Sequence, residues 1–181
     1  FQENANRKEL LEKNHRREGP IFESDESLIT MQDPKNAGLK MKVEEISLKV
    51  CDAQVAGDIE TFKSLISEDF TYTLNGELDI SQTYDWDEYM KFTAYFGSLL
   101  KGEVGAELGE IIAGENTAII FTNGKMEGIG GKYENEYAIK YTVNSEGKIS
   151  NIREWLSDIL LATQLYGQPI EGVHIDPEKR F

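Results

Sequence analysis

Apolar positions along this chain repeat with two periods, and the change from one to the other separates a helical first half from a strand-rich second half. Val43, Ile46, Val50 and Ala53 recur at three- and four-residue intervals and predict a helix over 41–57. Gly57 suits a helix end and Asp58 an N-cap, so a second helix follows, carrying Ile59, Phe62, Leu65 and Ile66. Residues 69–74 alternate as a strand that Asn75-Gly76 stops. Trp86, Tyr89, Phe92 and Phe96 mark a third helix over about 85–100. Period two then takes over, in runs at 104–112, 116–127, 132–143 and 148–156. The turn signals between them are Gly114-Glu115-Asn116, Gly128-Ile129-Gly130-Gly131 and Asn144-Ser145-Glu146-Gly147. A short helix at 158–166 closes the pattern.

The predicted order is helix, helix, strand, helix and a four-stranded antiparallel meander, which is an α+β class. The expected architecture is a cone: a curved antiparallel sheet packed against three helices, with an open mouth. The domain is read at 41–167. Residues 1–40 read as a partly ordered arm, with a charged helix over 3–18 and a loop at Asp33-Pro34 and Asn36-Ala37-Gly38. Residues 168–181 read as an irregular tail.

Composition narrows the function classes. The net charge is -14; residues 1–40 hold seven Lys/Arg against eight Asp/Glu, so most of the excess belongs to the domain. Such a surface repels phosphate backbones and anionic lipid, so neither nucleic acid nor membrane is an expected partner. The lone Cys51 allows no disulfide within the chain and no multi-cysteine zinc site. No apolar run approaches the roughly 20 residues of a membrane span. The first residue is Phe1, which fits either a cleaved secretory leader or an excised segment and leaves cytoplasm and export both open. Gly128-Ile129-Gly130-Gly131 lacks the Lys and helix start of a phosphate loop and reads as a hairpin turn.

Two stretches carry a resemblance. Val55-Ala56-Gly57-Asp58-Ile59-Glu60-Thr61-Phe62, continued from Leu65 to Tyr72, is similar to the opening of nuclear-transport-factor-2-like and SnoaL-like proteins. Gly147-Lys148-Ile149-Ser150-Asn151-Ile152-Arg153-Glu154-Trp155 resembles their closing strand. The likeness spans about 41–166 and implies the cone fold. Its known chemistries map poorly. The ketosteroid-isomerase tyrosine and aspartate would fall on Val50 and Leu74, which cannot move a proton. The histidine chemistry of SnoaL-type cyclases would need His15 or His174, in the arm and tail. The epoxide-hydrolase aspartate would fall on Glu154, but its partners map near Phe121 and Asn123.

Glu154 is therefore the candidate catalytic residue. Alternation places it on one strand face with Ile152 and Leu156, and Arg153 and Trp155 on the other. In the opposite register Trp155 would point in and Glu154 out. Tyr72, Leu74, Phe121, Asn123, Tyr137, Tyr141 and Trp86 are the candidate substrate-binding residues, with no metal ligands and no cofactor expected. The expected function is a pocket for a small apolar molecule, as a cofactor-independent lyase, isomerase or cyclase. The alternative is a non-catalytic binding or dimerisation module. Ile119, Ile111 and Val104 are expected on an apolar outer sheet face that pairs two copies into a homodimer.

Overall fold

The computed structural model describes residues 34–169, with side chains from residue 42 onward. The charged helix read at 3–18, most of the tail, His15 and His174 lie outside the described residues. The elements are α1 (Pro34–Ala56), α2 (Ile59–Leu65), β1 (Ile66–Leu74), β2 (Thr83–Tyr84), α3 (Trp86–Leu99), β3 (Gly105–Ala113), β4 (Thr117–Gly128), β5 (Gly131–Val143), β6 (Ile149–Trp155) and α4 (Asp158–Leu160). A single π-helical turn, Leu161–Leu165, follows α4.

The helices start where the sequence offers caps. Asp58 accepts from the Thr61 N–H at 3.1 Å and opens α2. Asp85 and Glu88 form a reciprocal capping box on α3, with bonds of 2.9 and 3.1 Å. The segment expected as a loop around Pro34 and Asn36-Ala37-Gly38 is instead the beginning of α1. A proline at the first helical position loses no hydrogen bond and carries the required φ, so its turn propensity was misleading there.

The six strands form one open sheet in the order β2-β1-β6-β5-β4-β3. The antiparallel meander β3 to β6 is as expected. The expectation of a wholly antiparallel sheet needs correction, because β1 runs parallel to β6 and the short β2 pairs with β1. Alternation reports which face a side chain takes and says nothing of which strand will lie alongside. Irregularities between Ile66 and Thr71, Leu108 and Ile111, and Thr142 and Val143 interrupt the ladders, and such bulges increase local bend and twist.

Between the sheet and helices lies a core of Val50, Phe62, Phe70, Ile120, Ile149, Ile152 and Leu165. Trp86 belongs to its outer end. Its ring lies 5.6 Å from Phe62 and 6.2 Å from Phe70, with the Lys63 ammonium 4.2 Å above it. On the opposite sheet face the bulge in β3 shifts the expected register. Ile111 pairs with Ile120, an inner residue, while Ile112 pairs with the outer Ile119. Val104 precedes β3 and lines the cavity described next.

Candidate active site

Inside the sheet's curl is a cavity of about 560 Å³, a size suited to a small organic ligand. Its wall is mostly apolar, including Leu74, Phe92, Phe96, Ile139 and Leu156. Neither lysine, arginine nor histidine lines it among the described residues. The described residues likewise hold no group of three or more His, Cys, Asp or Glu placed to hold a metal ion.

Glu154 reaches this cavity from β6. Its sheet neighbours are Leu74 on β1 and Ile139 on β5, both buried. The Tyr72 hydroxyl donates to Glu154 Oε2 at 2.8 Å. Burial among these apolar groups drives the carboxyl up from 4.5 to about 7, against the opposing pull of the Tyr72 hydrogen bond. The backbone beneath it is also held. Asn75 donates both its N–H and its Nδ2–H to the Glu154 carbonyl, each at 2.9 Å, and Arg153 Nε donates to Asn75 Oδ1 at 3.0 Å. The Asn75-Gly76 stop signal thus ends β1 and ties it to the strand that carries the acid.

Besides Asp58, Thr93 and Thr122, the remaining polar groups at the cavity are phenols and amides in two chains. Tyr141 donates to Gln54 Oε1 at 3.1 Å, and Gln54 Nε2 donates to Tyr89 Oη at 3.0 Å. In the second chain Tyr137 donates to Tyr133 Oη at 3.0 Å, and Asn135 Nδ2 donates to the same oxygen at 3.2 Å. Asn135 is itself clamped by the Ser157 backbone, donating to its carbonyl at 3.1 Å and accepting its N–H at 3.0 Å. Gly124 allows Tyr137 to lie across β4, since a Cβ there would come within 2.8 Å of the Tyr137 ring. Burial pushes the phenols of Tyr72, Tyr89, Tyr133, Tyr137 and Tyr141 above the ordinary tyrosine range, so they act as neutral hydrogen-bonding groups.

The structure brings Glu154, Tyr72, Leu74, Tyr137 and Tyr141 to one cavity. Three expected residues are elsewhere. Phe121 and Asn123 point to the outer face, because β4 directs Ile120, Thr122 and Gly124 inward. Trp86 stays in the aromatic cluster at the end of α3 and does not line the cavity. Sequence reasoning missed Gln54, Tyr133 and Asn135, and read Tyr89 only as part of an aromatic helix face. The signal for two of these was present: Tyr133 and Asn135 share the parity of Tyr137 and Tyr141 on β5.

No protein-family model matches the sequence, and no curated protein is similar to it. The fold does match solved structures. PrhC from Penicillium brasilianum NBRC 6234 superposes with a TM-score of 0.61 at 15% identity, over 67% of this chain and 84% of that one. A nuclear-transport-factor-2-like protein from Burkholderia xenovorans LB400 gives 0.57 at 17%, over 69% and 96%. A hypothetical protein with a ketosteroid-isomerase-like fold from Catenulispora acidiphila DSM 44928, solved with trimethylamine, gives 0.56 at 16%, over 69% and 94%. The described domain has the nuclear-transport-factor-2-like fold, as the sequence motifs implied. At these identities the likeness is one of fold, and the fold hosts many functions.

Proposed function

We propose that this protein binds a small, mostly apolar molecule in the cavity and moves a proton on it through Glu154, as a cofactor-independent isomerase, lyase or cyclase. The observation that carries this reading is one carboxyl with its pKa raised to about 7, inside an open apolar cavity and hydrogen-bonded to Tyr72. A carboxyl poised there is half ionised near neutral pH and serves as base or acid with little driving force wasted. The carboxylate form takes a proton from carbon beside a carbonyl, and the carboxylic acid so formed returns it. The second reading, binding without turnover, is favoured by a different observation. Asp58, the other carboxylate on the wall, caps α2 through Thr61, so among the described residues Glu154 has no second carboxylate or imidazole beside it.

Deuterium exchange separates the two. Incubated in D2O with 2-acetylnaphthalene, the protein should speed exchange of the methyl protons, with a rate rising through about pH 7 as Glu154 ionises. Glu154→Gln should reduce the exchange at least about a hundredfold, within the range typical of general-base catalysis. Binding of the ketone with no exchange above buffer would establish the second reading.

A further inference from the structure

Each buried phenol brings one O–H proton that needs an acceptor. Tyr72 gives its proton to Glu154. Tyr141 gives its proton to Gln54, which donates onward to Tyr89. That relay ends at Tyr89, whose own proton meets no acceptor among the described residues. Tyr89 lines the cavity and is only 5% exposed.

The second relay leaves a proton over as well. Tyr133 already receives Asn135 Nδ2–H, and a single 3.0 Å contact joins its oxygen to that of Tyr137. Tyr137 donates in that contact, so the surplus proton is on Tyr133, fully buried and off the cavity wall. The proton left to face the cavity is therefore that of Tyr89.

From the relay that ends at Tyr89 the structure assigns a ligand class: an uncharged, largely apolar molecule whose carbonyl or ether oxygen accepts a hydrogen bond from Tyr89. The inference rests on the ligand-binding half of the reading above and not on proton transfer. Charge narrows it further. An anion would meet Asp58, and Glu154 once ionised, with no lysine, arginine or histidine among the described residues of the wall to pair it. A cation would be drawn to the same two carboxyls. At pH 6, however, Glu154, pushed up to about 7 by burial, is mostly protonated and Asp58 is engaged with the Thr61 N–H, so the wall offers it little pairing charge.

Calorimetric titration of the whole chain at pH 6 with four probes of similar shape tests this. The probes are 2-acetylnaphthalene, its alkene isostere 2-isopropenylnaphthalene, 2-naphthoate and protonated 1-(2-naphthyl)ethylamine. The ketone should bind about tenfold more tightly than the alkene, the fold-change expected of roughly one net hydrogen bond. The acid and the amine should bind more weakly than the ketone. Tyr89→Phe should shrink the ketone-to-alkene ratio severalfold while leaving alkene affinity nearly unchanged. Equal affinity for ketone and alkene, tighter binding of either ion, a ratio unmoved in Tyr89→Phe, or no binding of any probe would each overturn the assignment. If that variant fails to fold, the wild-type ratios decide alone. A ketone preference without deuterium exchange keeps the ligand class and removes the proton transfer; exchange without a ketone preference does the reverse.

Discussion

Glu154 holds its proton far more tightly when folded than when unfolded, and this gives a sign to the pH dependence of stability. Its pKa rises from 4.5 to about 7 on folding, so between those values the native state binds more protons than the unfolded chain. The contribution is therefore fully present below about pH 4.5 and declines to its floor above about pH 7, a loss on the order of 3 kcal/mol. Thermal melts of the wild type and Glu154→Gln across pH 4 to 8 should show the wild type losing ground steadily, whereas parallel curves would contradict the raised pKa. Tyr72→Phe removes the one hydrogen bond that favours the carboxylate, so the Glu154 midpoint, read by carbon NMR of the labelled carboxyl, should move up from about 7. Glu154 was legible because Ile152 and Leu156 flank it at strand parity and show which face is inner. Gln54 was not, since a lone amide on a helix reads as a surface residue until tyrosines from other elements converge on it.

The β4 strand shows where alternation fails. Ile119, Ile120 and Phe121 are apolar in succession, so the pattern could not tell inner from outer, and Phe121 with Asn123 was assigned to the wrong side. The β4–β5 turn shows what glycine is for. Ile129 and Gly130 donate their N–H groups to the carbonyls of Leu165 and Gln164, each at 2.9 Å, which docks the hairpin on the π-helical turn. A Cβ on Gly130 would collide with the Thr163 carbonyl, whereas one on Gly97, within α3, would meet nothing within 4 Å. The same substitution should thus act with opposite sign. Gly130→Ala is expected to cost about 2 kcal/mol by overpacking, and Gly97→Ala to add about 0.5 kcal/mol of helix propensity. Chemical denaturation of the two variants measures both, and a harmless Gly130→Ala would refute the docking.

The outer sheet face carries Ile112, Ile119, Phe121, Ala138 and Trp155 in adjoining register positions, with Ile112, Phe121 and Trp155 exposed. Glu134 and Glu136 lie beyond one end of this patch, with Lys125 and Lys132 among the acids there, and Lys140 and Arg153 lie beside Ile119 at the other. On this exposed apolar patch we propose that two copies pair. The two-fold axis lies in the face and runs across the strands, which sets the more acidic end of each copy against the basic end of the other. Light scattering should give about twice the 20.5 kDa of one chain, and Phe121→Glu should halve it; a wild-type mass of one chain would end the proposal. The layered α+β plan and the meander were legible because helix and strand periods are local. The central parallel pair was not, because β1 and β6 are about 80 residues apart and nothing in either names the other. That same pair has a consequence for synthesis on the ribosome. The first long strand must wait for the last one, and Glu154 lies on that last strand, so the emerging chain holds β1 without its inner neighbour while the whole meander is made. The acid enters its apolar surroundings only as the sheet closes, and a nascent chain halted before residue 149 should remain open to protease along β1.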